Sequence, residues 1–144
     1  MITVEPTPID AGVEFAAIAV RGAGGVATFV GLVRADDGVA TLELEHYPGA
    51  TEAALAALAA EAVERWALID ARITHRVGVM VPGDIVVFVG TAAAHRAAAL
   101  EACAFLIDRL KTDAPFWKKE TRGDAATWVE PRGSDDAAAA RWSA

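Results

Sequence analysis

HRAAALEACAFLIDRLKTDAPFWKKE, residues 95–120, is the stretch on which the reading of this chain turns. From about His95 to Thr112 the residues Leu100, Cys103, Ile107 and Leu110 recur every three or four positions, which predicts one apolar stripe on a helix. The helix stops before Pro115, because the residue preceding a proline is driven out of the α region. A turn, Pro-Phe-Trp-Lys-Lys-Glu, is expected to follow. Arg96, Arg109, Lys111, Lys118 and Lys119 gather around this one element in a chain of formal net charge -7. Cations concentrated against an acidic background point to an anionic ligand.

Upstream, IVVFVGT at 85–91 is apolar on both faces and reads as a central strand. Pro82-Gly83-Asp84 joins it by a turn to a strand expected over Arg72 to Val79. Thr51 is expected to cap a helix that carries Leu55, Leu58, Ala62 and Trp66 inward and Glu52, Glu61, Glu64 and Arg65 outward. Ala40 to His46 alternates, with Leu42 and Leu44 on one face, and Tyr47-Pro48-Gly49 breaks it. VATFVGLV at 26–33 is a further strand, ending at Arg34 before the turn-like Ala35-Asp36-Asp37-Gly38. Past the opening segment, Thr127 to Glu130 reads as a short strand, and Ser134 as the cap of a last short helix carrying Trp142. Two main helices interleaved with sequential strands predict an α+β fold with an antiparallel sheet.

At 144 residues the chain is the size of one domain, taken here as 1–144. No apolar run approaches the roughly eighteen residues of a membrane span, and the first residues lack a basic region followed by an apolar one. A cytoplasmic protein is expected. Cys103, the single cysteine, allows no internal disulfide, in keeping with a reducing compartment. The acidic balance argues against nucleic acid as a partner, since phosphate neutralisation needs a broad basic face.

Five ordered blocks carry a resemblance: FVGLVR at 29–34, LELEHYPGA at 42–50, HRVGVMVPGD at 75–84, AAAHR at 92–96 and LKTDAPFWKKE at 110–120. From about Val26 to Trp142 they resemble, in the same order, the molybdopterin synthase large-subunit family, MoaE. The resemblance implies an α/β hammerhead and a sulfur-transfer enzyme of molybdenum cofactor biosynthesis. Its substrate would be cyclic pyranopterin monophosphate, converted to molybdopterin by installing a dithiolene. The sulfur would come from the thiocarboxylated C-terminus of a small ubiquitin-like carrier subunit. It further implies a homodimer within a heterotetramer, with no metal and no organic cofactor of its own.

Carried over residue by residue, the family's substrate-binding positions fall on Leu32, Val33, Arg34, His95, Arg96, Lys111, Lys118, Lys119 and Glu120. Lys111 and Lys118 would be the catalytic pair. Lys111 would move protons while sulfur attacks the pterin side chain, and Lys118 would steer the carrier's carboxyl tail or hold an acyl intermediate. Leu32 departs from the basic residue of some relatives, which speaks against a polar role for that side chain. Ala50 stands where methionine is frequent, a change of packing.

Each residue also has a plainer reading. Lys111 complements a helix dipole at its C-terminal end. An exposed His-Arg pair is usually only solvated. Against that, the guanidinium of Arg96 matches phosphate oxygens, and a helix N-terminus adds unpaired backbone N–H groups. Arg34 has the same two readings. Cys103 falls on the apolar stripe and is expected to be core rather than a persulfide carrier. His46 and His75 lie far apart without a metal-ligand spacing. Phe116 and Trp117 are expected to anchor the loop presenting Lys118. A non-catalytic carrier-binding scaffold is the alternative from another class, and a phosphate-ester hydrolase built on His95 lacks a nucleophile or metal partner.

Geometry adds one expectation. Fifteen helical steps at about 1.5 Å separate Arg96 from Lys111 by roughly 22 Å, beyond the span of a pterin-sized ligand. If both touch one substrate, His95 and Arg96 of one subunit complete the pocket of the other.

Overall fold

The computed structural model describes residues 1–35, 38–123, 125–129 and 133–143, the side chains of residues 133 and 134 excepted. The expected turn residues Asp36 and Asp37, the strand end at Glu130 and the capping side chain of Ser134 lie outside the described residues. In chain order the elements are β1 (Ile2–Glu5), α1 (Ala11–Ile18), β2 (Gly25–Leu32), β3 (Thr41–His46), α2 (Ala50–Trp66), β4 (Asp70–Arg76), β5 (Gly78–Met80), β6 (Ile85–Ala93), α3 (Arg96–Asp113), β7 (Phe116–Arg122), β8 (Ala125–Val129) and α4 (Gly133–Ala140).

Among the described residues eight strands form two sheets, in the orders β1-β4-β6-β2 and β5-β3-β7-β8. Among these strands the described pairings are antiparallel, except that β1 runs parallel to β4. The apolar run at 85–91 extends to Ala93 and is buried continuously from Val87, because both of its faces are covered. Val87, Val89 and Ala93 join the core under α2 and α3, while Phe88 and Ala92 pack with Ile18 of α1 on the other side. Among the described residues no helix is long and apolar enough to cross a membrane.

Several expectations are corrected by this arrangement. The single strand predicted over Arg72 to Val79 is two, one in each sheet. Gly78, at φ 87°, makes the break, in a region that side chains rarely adopt. α2 is entered through Gly49, whose N–H is accepted by the Glu52 carboxylate at 3.1 Å, and Thr51 lies inside the helix, not at its cap. The fully buried Thr51 hydroxyl instead donates to the Pro115 carbonyl at 2.8 Å and accepts from the Tyr47 N–H at 3.0 Å. On α3, Leu100 is 60% exposed, and the buried face is made by Ala99, Ala102, Cys103, Phe105, Leu106 and Leu110. Alanines let the helix sit close to the sheet, so the seam rotates away from Leu100. The expected turn at Pro115 to Glu120 is largely strand β7.

Candidate functional site

β7 pairs with β3 so that Lys118 stands opposite Leu44, and Glu120 opposite Leu42. Cross-strand partners share a face, so the strand's period of two puts Phe116, Lys118 and Glu120 on one side and Trp117, Lys119 and Thr121 on the other. Thr51 fixes where the strand begins through its bond to Pro115. α3 ends at Ala114, which is extended at ψ 128° as a residue before proline must be, and Lys111 occupies its last turn. At the far side, the pairing of β2 with β6 is bulged at Gly31 and Leu32. Gly31 faces Val87 and Leu32 faces Ile85, so Val86 of β6 is the extra residue, and the added twist falls where β2 gives way to Val33 and Arg34.

These elements line an open cavity of about 1200 Å³. Leu32, Val33 and Arg34 line it from the end of β2, Lys111 from α3, and Lys118 and Glu120 from β7. Val33 is buried, whereas Leu32 is 54% exposed. Glu120 accepts from Arg122 at 2.7 Å. Leu42 and Leu44 form an apolar part of the wall, while Phe29, Phe116, Trp117 and Trp128 supply aromatic surface. Arg34, Lys111, Lys118 and Arg122 set four cationic groups against Glu45, Glu120 and Asp135, so the wall can bind an anion and still hold a carboxylate that accepts or returns a proton.

Three of the nine carried-over substrate-binding positions do not line this cavity. Lys119 is on the opposite face of β7, its ammonium 5.6 Å from the centroid of Trp128. His95 and Arg96 lie at the other end of α3, around a separate concavity of about 460 Å³ that also involves Gly24, Ala94 and Ala97. His95 is the N-cap of α3 in extended conformation, and Arg96 is the first helical residue, so backbone N–H groups point outward beside an exposed guanidinium. Arg109 is engaged elsewhere, paired with Asp113 at 2.7 Å and Glu61 at 3.7 Å.

Cys103 is buried in the main core, and burial pushes its thiol up to about 11, away from a reactive thiolate. Phe116 stacks on His75, with ring centroids 4.1 Å apart and planes at 26°. Trp117 leans on Tyr47 at 4.3 Å. The two aromatics therefore hold β7 from both faces, as the anchoring role expected of them requires, though the segment they anchor is a strand. His75 was not singled out as a site residue, yet its ring belongs to the cavity wall. Its place in the HRVGVMVPGD block was the available signal.

The MoaE protein family model matches residues 3–113 of the chain. The sequence is 50% identical to the molybdopterin synthase catalytic subunit of Caulobacter vibrioides, over 99% of this chain and 97% of that protein. It is 51% identical to the subunit of the same name from Pseudomonas aeruginosa, over 98% and 97%. The fold superimposes on the molybdopterin biosynthesis MoaE protein from Burkholderia ambifaria with a TM-score of 0.86 and 51% identity, covering 100% of this chain and 98% of that one. By family model, sequence and fold alike, the chain belongs to the MoaE family.

Proposed function

We propose that this protein is the catalytic subunit of a molybdopterin synthase. It transfers sulfur from the thiocarboxylated C-terminus of a small ubiquitin-like carrier to cyclic pyranopterin monophosphate, forming the dithiolene of molybdopterin. The observation that carries the reading is the convergence of Arg34, Lys111, Lys118 and Glu120, from three separate elements, on one cavity large enough for a pterin and a slim peptide tail. Lys111 moves protons during attack by sulfur, and Lys118 holds the carrier's carboxyl terminus. Arg34 and Glu120 orient the substrate, with Leu32 and Val33 contributing apolar wall.

His95 and Arg96 bind the substrate's phosphate, and they do so from the partner subunit of a homodimer, because α3 separates them from Lys111 of their own chain. Lys119 acts from the outer face of β7, toward the docked carrier. The working assembly is a heterotetramer of two such chains and two carriers. Residues 1–144 act as a single domain, and the enzyme works in the cytoplasm, where its cofactor pathway would run. Mixing the purified protein with thiocarboxylated carrier and cyclic pyranopterin monophosphate should yield molybdopterin. Carrier binding without turnover would instead identify a scaffold.

A further inference from the structure

Arg122 is the last residue of β7, two positions beyond the ordered block that ends at Glu120, and none of the roles the resemblance implies falls on it. Its Nη2 donates to Glu120 Oε2 at 2.7 Å. The strand's period of two puts both side chains on the face that carries Lys118, and both line the cavity. Across the sheet Glu120 faces Leu42 on β3 and Thr127 on β8, neither of which brings a charge. Arg122 faces the small Ala125, and the pairing with β3 stops at Thr121, which leaves the guanidinium room to reach back along β7.

The two side chains are 38% and 18% exposed, and an ion pair this open to water adds little to the stability of a fold. Its place in the wall is what sets it apart from an ordinary surface pair. Among the described residues that wall holds Arg34, Lys111, Lys118 and Arg122 against Glu45, Glu120 and Asp135. His75 in the same wall adds no charge at neutral pH, since burial is the main cause holding its pKa down to about 4. Without Arg122, three cations would face three carboxylates, and a cavity read as taking a thiocarboxylate tail would lose its positive balance. A guanidinium also fixes direction, because its donors lie in one plane. With Oε2 taken by Arg122, the second carboxylate oxygen, Oε1, is left to accept from a ligand.

We infer that Arg122 is a positioning residue for Glu120: it holds the carboxylate in the cavity wall through Oε2 and offsets its charge, so that Oε1 accepts from an N–H or O–H of the pterin while anionic groups still enter. The inference rests on the reading of Glu120 as a residue that orients the substrate. Two experiments test it. In a crystal structure of Arg122→Ala the Glu120 carboxylate should leave the place it holds in the wild-type protein. An unmoved Glu120 would overturn the positioning role, and this readout needs no turnover. In sulfur transfer, Arg122→Ala should lose about tenfold in kcat/KM for the pterin, and Arg122→Lys, which keeps the charge and a donor, should recover part of the loss. Made in Glu120→Ala protein, the same Arg122→Ala change should cost about twofold or less, because no carboxylate is left to hold. Losses equally large in both backgrounds, or wild-type kcat/KM in Arg122→Ala, would refute the role. Failure of the wild-type protein to transfer sulfur would sink the functional reading, while the Arg122→Ala structure would still decide whether Arg122 holds Glu120.

Discussion

Arg96→Ala and Lys111→Ala should each abolish turnover alone and rescue one another when the two chains share a dimer. The two positions sit on one continuous helix, Arg96–Asp113, fifteen steps apart, which is roughly 22 Å at about 1.5 Å per residue. The concavity holding His95 and Arg96 shares no lining residue with the cavity holding Lys111. In a symmetric dimer with composite sites, a mixed dimer places both lesions in one site and neither in the other. Random assembly of equal amounts makes about half the dimers mixed, each with one intact site of two, so about one quarter of wild-type activity should return. Dimers purified through two different tags should recover about half. The assay is molybdopterin formation from cyclic pyranopterin monophosphate and excess thiocarboxylated carrier. Tagged mixed dimers with no activity above either parent would refute the shared site.

Thr51→Val removes the hydroxyl that bridges Tyr47 and Pro115, leaving a backbone donor and acceptor unpaired at a fully buried position; chemical denaturation should show a loss of about 2 kcal/mol or more, with turnover reduced because β7 starts from Pro115. Cys103→Ala should cost about 1 kcal/mol through a small core cavity and leave turnover unchanged, and the native thiol, pushed up to about 11 by burial, should resist thiol reagents at pH 8 until the protein is unfolded. His75 should make stability fall in acid. Its folded pKa of about 4 lies below the ordinary 6.5, so the unfolded chain takes the proton first. The stability is complete above pH 6.5 and is lost as pH falls toward 4, by up to roughly 3 kcal/mol, and a denaturant series on His75→Phe should show a correspondingly flatter pH dependence.

α3 and β6 were legible because their patterns are long and their boundaries chemical: Pro115 ends one, and Pro82-Gly83-Asp84 precedes the other. β7 reads as a turn in the sequence because Pro115 and three consecutive charged residues, Lys118 to Glu120, hide a period of two that only pairing with β3 makes visible. Gly78 inside the predicted strand over Arg72 to Val79 was a signal of a break, and its positive φ is what sends the chain from one sheet to the other. α1 has no helical stripe in the sequence because AGVEFAAI buries only Ile18, although Asp10, accepting from the Gly12 and Val13 N–H groups, is an ordinary N-cap. Spacing alone puts Leu100 on the apolar stripe, whereas Ala99 and Ala102 are part of the buried face. The site residues were found through the ordered blocks. No periodicity brings the end of α3 beside a strand of the second sheet, and none reveals that Lys119 turns away from Lys118 until β7 is recognised as a strand.

The most direct measurement is single-turnover sulfur transfer by Lys111→Ala with saturating thiocarboxylated carrier. The residue is exposed at a helix end, so the variant should keep its fold and its carrier complex. The account predicts that molybdopterin formation falls by several orders of magnitude while denaturation midpoint and carrier affinity stay at wild-type values. A folded, carrier-bound Lys111→Ala protein that converts the pterin at the wild-type rate would contradict it.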